Sequence, residues 1–354
     1  MEKRNGVDYR ASGVDITEGN RAVDLIKEST ASTFNEYVLA PIGSFASMFD
    51  ISWLAKEYKE PVLVQSVDGV GTKIVVAQMA NDFSTIGEDL FYACTNDIAV
   101  HGAKPLTFLD YIANDKLKAE TVATIVNGIA KACKECSVAL VGGETAEMPG
   151  VYLPNQHDLV GLVTGIVDKS KIIDGKDVTD GDVILGVASS GLHTNGYSLA
   201  RKVLFEKANL KVDQILYTDE SLTVGEALLK AHVNYSNGIQ TLLEKGVVIK
   251  SLSHITGGGL VENVKRTLPK NVDSYFYKES WPVLPIFKAI KELGNVPEFE
   301  MYRTFNMGLG LTIVVAKQEA QEVLKLANEA FSMPVYEVGK IVKGSGKTTI
   351  EGVN

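Results

Sequence analysis

Residues 65–73, QSVDGVGTK, bring an acid, two glycines one residue apart, a threonine and a lysine to the end of an apolar run. Asp68, Gly69, Gly71, Thr72 and Lys73 suit an anionic ligand. Glycines let the backbone approach and aim N–H groups at it, and the lysine neutralises a phosphate as a point charge. The spacing is not the G-x-x-x-x-G-K-[ST] of the P-loop. Two more segments offer related chemistry. VGGETAEMPG (141–150) runs a strand into Gly142, Gly143 and Glu144, and LFYACTNDIAVHGAKP carries Asn96 and Asp97 on a helix ahead of Gly102. Asp68, Asp97 and Glu144 are hard oxygen ligands of the kind Mg²⁺ takes beside phosphate oxygens and water. A magnesium-bound nucleoside triphosphate is the ligand this set suits best.

The second half carries a different kit. SSGLHTNGYSLARK (189–202) places Ser189, Ser190, Gly191, His193 and Asn195 between a strand and a helix. SHITGGGLVENV (253–264) sets His254 and Thr256 ahead of Gly257, Gly258 and Gly259 at a helix start, a place for a phosphate monoester. An imidazole beside each loop titrates near neutrality and can serve as acid or base. EMYRTFNMG (300–308) adds Arg303 and Asn306 as anion or hydrogen-bonding groups. His101, His157 and His232 fall in ordinary periodic or polar contexts and read as structural.

Two decoys are set aside. KGSGKTTI (343–350) contains G-K-T, but Ile341 stands five residues before Gly346, and only seven residues follow Lys347. It reads as a turn entering a short last strand. Cys133 and Cys136 form a C-x-x-C inside an amphipathic helical pattern with no second pair and no nearby histidine, so they read as buried thiols.

These groups must be positioned by a large scaffold. The chain has 354 residues, 45% of them apolar, with a net charge of −9 and pI near 5.2. That balance, with no basic tract, lacks the footprint of a nucleic-acid binder, so anion sites must be local. No apolar run is long enough to cross a bilayer and the N-terminus lacks a signal-peptide core; the sequence reads as a soluble cytoplasmic protein. Strand patterns fall at 61–67, 105–113, 137–143 and 157–167, with helices near 84–101 and 118–136. The polar stretch 168–182 is the best boundary, giving domains 1–170 and 171–354. Beyond it a strand (182–190), helices near 196–207 and 222–245, and a closing strand–helix–strand predict a second unit. The fold class is α/β with mixed sheets.

Seven segments in register resemble one family, the phosphoribosylformylglycinamidine cyclo-ligases (aminoimidazole ribonucleotide synthetases). They are YRASGVDITEGN, VDGVGTK, GEDLFYACTNDIAVHGAKPLTFLDY, LVGGETAEMPG, SSGLHTNGYSLARK, HITGGGLVENV and EMYRTFNMG. The resemblance implies ATP- and Mg²⁺-dependent closure of formylglycinamidine ribonucleotide through an O-phosphoryl imidate, with ADP and phosphate released. It implies a homodimer whose N-terminal sheets pair into a barrel, under a C-terminal α/β layer over the substrate. It places Lys27, Asp68, Gly69, Gly71, Thr72, Lys73, Asn96, Asp97, Gly142, Gly143 and Glu144 at the nucleotide. His193, Asn195, Thr256, Gly257, Gly258, Gly259, Arg303 and Asn306 fall at the substrate. Asp97, His193, His254 and Lys73 take catalytic roles. Two segments depart from the family: APIGSFASMFDIS (40–52) keeps only Gly43 of a glycine-rich stretch, and KAHVNYSN (230–237) replaces one rich in proline, threonine and arginine. A sister kinase acting on another acceptor, or a non-catalytic nucleotide-binding dimer, are the competing readings.

Overall fold

The computed structural model describes residues 8–353. The first half runs α1 (Ile16–Ala31), α2 (Leu54–Glu57), β1 (Pro61–Gly69), α3 (Lys73–Ala80), α4 (Ile86–Ala99), β2 (Lys104–Asn114), α5 (Ala119–Glu135), β3 (Ala139–Glu147) and β4 (His157–Asp168). Its strands form one sheet in the order β1-β4-β2-β3, with β4 antiparallel to both neighbours and β2 parallel to β3. A parallel pair needs a crossover, and α5 supplies it. Val122, Ile125, Val126, Ile129, Ala130 and Cys133 on α5 are buried, as their helical spacing predicts. Cys133 and Cys136 are free buried thiols.

Side chains alternate across β1. Val62, Val64, Ser66 and Asp68 are the less exposed set, on the side that α4 covers, whereas Leu63 and Val67 are 58% and 61% exposed. Alternation therefore turns Asp68 toward α4, and leaves apolar side chains on the other face.

The second half runs β5 (Val183–Ala188), α6 (Tyr197–Arg201), a hairpin of β6 (Ile215–Leu216) and β7 (Asp219–Thr223), α7 (Val224–Leu228), α8 (Ser236–Glu244), β8 (Ser251–His254), α9 (Gly259–Asn263), β9 (Val272–Phe276), α10 (Pro285–Gly294), α11 (Glu298–Thr304), β10 (Leu309–Val315), α12 (Ala320–Ala330), β11 (Val335–Lys343) and β12 (Thr348–Ile350). Six strands form a second sheet, β12-β9-β11-β5-β10-β8, antiparallel except for β9 with β12. β5 and β10 are buried throughout, which fits sequences that are apolar but for Thr312. The G-K-T segment ends in strand β12, as a turn-and-strand reading requires. No helix among the described residues is long and apolar enough to cross a membrane.

Two helical expectations need correction. The region 196–207 is one turn of α-helix that widens into a π-helical stretch, Lys202–Lys207. The region 222–245 is not continuous: α7 ends at Leu228 and α8 starts at Ser236. Side chains from α4 take the backbone donors between them. Asp89 Oδ1 accepts from His232 N at 2.7 Å, and Asn96 Oδ1 accepts from Tyr235 N and Ser236 N at 3.0 and 3.1 Å. Buried N–H groups need partners, and these lie across the seam instead of within a helix.

Candidate active site

The helix α4 sets out the site along one face. Asp89 and Asn96, seven residues apart, meet the interrupted segment 229–235 of the second half. Asp97, one position on, turns toward β1. Its Oδ2 lies 3.3 Å from Ser66 Oγ, and its Oδ1 accepts from His254 Nδ1 at 2.8 Å. Asp68 sits two residues beyond Ser66 on the same face. Burial raises its carboxyl above the ordinary value, the Gly69 N–H (2.7 Å) pulls it back, and the Asp97 charge raises it further. Two of the three expected metal-binding acids, one from each element, thus converge on the end of β8.

His254 does not stand alone there. Its Nε2 lies 3.2 Å from His232 Nε2, and the His193 ring stacks on His232 with centroids 3.9 Å apart. All three rings are buried. Burial holds His193 and His232 well below the usual imidazole range, and neighbouring imidazole and lysine charge adds to the effect. His193 adopts φ +60°, which turns the 190–196 loop back over the cluster. Its ring requires Gly310 opposite: a Cβ there would lie 2.6 Å from His193 Cε1 and 1.9 Å from the Tyr235 hydroxyl. His232 corrects the sequence reading, which treats it as structural; the break between α7 and α8 delivers it to the site.

The glycine loops close the second side. A Cβ on Gly257 would lie 3.2 Å from Asn195 Oδ1, so the 190–196 and 254–259 loops abut. Asn263 Nδ2 donates to the carbonyls of Thr256, Gly257 and Gly259, and Thr256 Oγ1 donates to Asn263 Oδ1, fixing the loop. Gly259 (φ +57°) has no room for a side chain, since a Cβ would meet the Tyr302 carbonyl at 2.1 Å. At the first turn, a Cβ on Gly71 (φ +54°) would lie 3.3 Å from the Thr194 carbonyl, and the Thr72 and Ser198 hydroxyls lie 3.3 Å apart.

Family models match both halves: the AIR synthase related protein N-terminal domain over residues 53–167 and its C-terminal domain over 179–351. Among relatives, the chain is 46% identical over 340 residues to the phosphoribosylformylglycinamidine cyclo-ligase of Alkaliphilus oremlandii, covering 96% of this chain and 98% of that one. It is also 46% identical over 352 residues to that of Syntrophotalea carbinolica, covering 99% of each. This chain belongs to the phosphoribosylformylglycinamidine cyclo-ligase family. Its fold is also that of the hydrogenase maturation protein HypE solved in complex with ATP, at a TM-score of 0.68 and 17% identity over 98% of this chain and 92% of that one.

Against the family expectation, several side chains have other employment. Lys73 is not an open phosphate ligand: it is fully buried, its Nζ 2.7 Å from Asp89 Oδ2 and 2.6 Å from the Lys230 carbonyl. Asn96 is buried with both amide atoms committed to residues 233–236. Asn306 is likewise consumed, holding Ser189, Gly191 and Gly308. Arg303 is exposed beside Glu300, 3.4 Å away. His157 is buried against Asn114 and Phe83, and His101 is exposed, both apart from the cluster.

Glu144 does not join Asp68 and Asp97. Register aligns Asp68 with Gly161, Asp110 and Gly143 across β1-β4-β2-β3, so the third acid lies three strands away. At ~4.8 Å per strand that is about 14 Å along the sheet. Gly142, Gly143 and Glu144 instead line a cavity of about 680 Å³ with Asp110, the 41–47 loop and Val23 and Ile26 of α1. The segment 40–52 thus supplies a wall of this cavity, and Lys27 is exposed on α1.

Asp110 is a residue the sequence reading overlooked, because an acid inside a strand pattern carries no motif. Burial pushes its carboxyl up to about 7. An unfolded aspartate titrates at about 3.9, so the native state holds the proton more tightly, and this contribution is lost as pH rises from about 4 through 7. Asp110→Asn is therefore expected to gain on the parent by a few degrees in Tm between pH 5 and pH 8. Thermal unfolding at the two pH values checks it; an unchanged difference would place the carboxylate in a solvated setting.

Proposed function

We propose that the chain catalyses ATP-dependent cyclisation of formylglycinamidine ribonucleotide to aminoimidazole ribonucleotide, releasing ADP and phosphate. Near-half identity to cyclo-ligases over the whole length carries this reading. The site chemistry agrees with it. An amide oxygen is a poor leaving group at neutral pH, so the formyl oxygen takes the γ-phosphoryl group first. The amidine nitrogen then attacks that carbon, the C–N bond forms, and the C–O electron pair departs with phosphate. Such transfers need positioning and charge neutralisation more than covalent help.

Asp68 and Asp97 are fit to hold Mg²⁺. They are adjacent hard-oxygen donors, and two carboxylates are what this ion takes beside phosphate and water. When bound, the ion supplies charge neutralisation at the transferring phosphoryl group. Glu144, Gly142, Gly143 and Lys27 serve the remainder of the nucleotide from the cavity side, and Gly69, Gly71 and Thr72 line the approach at the seam. Asp97 accepts from His254 Nδ1 and so leaves Nε2 with the lone pair that receives the proton lost on ring closure. Asn195 and residues 256–259 hold the ribose phosphate, with Arg303 at the rim.

Residues 1–170 carry the nucleotide and 171–354 the other substrate. The exposed Leu63 and Val67 on β1 suit pairing with a second copy, and a two-sheet barrel across a homodimer is the arrangement they favour.

Purified protein given ATP, Mg²⁺ and formylglycinamidine ribonucleotide should release phosphate with that acceptor alone. Release with thiamine phosphate or selenide instead would favour a sister kinase, and binding without turnover a non-catalytic paralogue. In the same assay His193→Ala should raise the KM for the ribonucleotide about tenfold or more while leaving the ATP KM within about twofold. The reverse pattern would move His193 to the nucleotide.

A further inference from the structure

We infer that His193, His232 and His254 form a binding site for a late first-row divalent cation of the Zn²⁺ class, separate from the carboxylate site for Mg²⁺. One ligand nitrogen from each of the three lies within 4.8 Å of the other two. His254 Nδ1 faces the Asp97 carboxylate at 2.8 Å, and a carboxylate only accepts, so Nδ1 carries the proton and Nε2 the lone pair. His232 Nδ1 lies 3.1 Å from the Val233 carbonyl, again an acceptor, which assigns its proton in the same way. Asn96 Nδ2, at 3.4 Å from that nitrogen, already donates to this carbonyl at 2.9 Å.

Two imidazole lone pairs therefore face each other at 3.2 Å. Such a pair repels unless a positive centre sits between them. Two nitrogens bound at about 2.0–2.1 Å in a tetrahedron stand about 3.3 Å apart, so the spacing is that of a bound cation's edge. His193 offers the third donor through Nδ1, which is buried and has no hydrogen-bond partner. Its Nε2 accepts a long 3.4 Å bond from Ser190 N, so metal binding at Nδ1 moves the ring proton to Nε2 and gives up that contact. Three histidines, one held from behind by a carboxylate, form a donor set that imidazole-preferring metals fill and Mg²⁺ does not. Asp97 and the nearby Asp68 supply the compensating charge.

The test is a metal titration, whose readout does not depend on turnover. Chelator-treated protein titrated with Co²⁺ should bind one ion per chain with the visible bands of tetrahedral nitrogen coordination. Zn²⁺ should displace it, and excess Mg²⁺ should not. His232→Gln should weaken Co²⁺ binding by about 10–100-fold or more, the range seen when even an outer partner is lost. In the parent protein Zn²⁺, but not Mg²⁺, should raise Tm, which keeps the question open to test if the variant fails to fold. Absence of tetrahedral bands, or equal affinity in parent and His232→Gln, would mean that a shared proton alone fills the gap and would overturn the proposal. If ring closure proceeds as proposed above, bound Zn²⁺ also occupies the His254 lone pair and inhibits. Metal binding without inhibition would leave the site standing and count against that role of His254.

Discussion

Lys73→Ala is expected to destabilise the protein by about 3–5 kcal/mol, the usual result of stripping one partner from a buried ion pair. Lys73 and Asp89 are both 0% exposed, with Nζ and Oδ2 2.7 Å apart. Burial drives the lysine down and the aspartate up, and each charge opposes the other's shift. Alanine would take away the counter-charge of Asp89 and drive its carboxyl, already raised to about 6, further toward the neutral acid, and would also strand the Lys230 carbonyl that Nζ serves at 2.6 Å. Asp89 holds His232 N, so the damage reaches the histidine cluster through the backbone. Denaturant unfolding measures the loss. Lys73→Met with Asp89→Asn should recover part of it, because the buried charges are gone while the amide oxygen still accepts from His232 N. An unchanged midpoint together with a sharply raised KM for ATP would return Lys73 to the phosphate-binding role that its motif suggests.

Asp97→Asn is expected to lower turnover by about a hundredfold or more, within the range of a lost acid–base or charge-stabilising group. The amide retains an oxygen for His254 Nδ1, so the ring can stay in place. It removes the negative charge that both a magnesium ion and an imidazolium need beside them. Asp97 is partly exposed on a helix whose other contacts do not involve it, so Tm should shift little. Steady-state rates set against unfolding curves separate the two effects. A variant with near-parental kcat would take Asp97 out of the chemistry.

These two residues show where the sequence is legible and where it is not. Strand alternation places Ser66 and Asp68 on one face of β1, and the helical pattern before Gly102 brings Asp97 over it. Both are local rules acting on adjacent segments. Lys73 follows a phosphate-like turn, and nothing near it in the chain announces that Asp89 stands opposite. The interruption at 229–235 escapes periodicity for a similar reason. Its backbone donors are taken by Asp89 and Asn96, well over a hundred residues earlier, which overrides a locally helical pattern. Glu144 reads like Asp68, as an acid after strand-end glycines. Only the strand order, which inserts β4 and β2 between β1 and β3, sends it to a different cavity. Side-chain type and period are written in the chain, whereas the partner of a buried polar group is decided by topology.

The fastenings of α4 to the second half also dictate how the molecule can yield. Asp89 and Asn96, together with the Lys73 ammonium that pairs with Asp89, hold the 230–236 backbone across the seam, locked by charge and by burial. One residue before Lys73, Thr72 meets Ser198 through two hydroxyls 3.3 Å apart. The 230–236 backbone is therefore the part of the seam that local opening releases last, since buried charge and a buried amide both hold it. His232, carried on that backbone, stays moored with it.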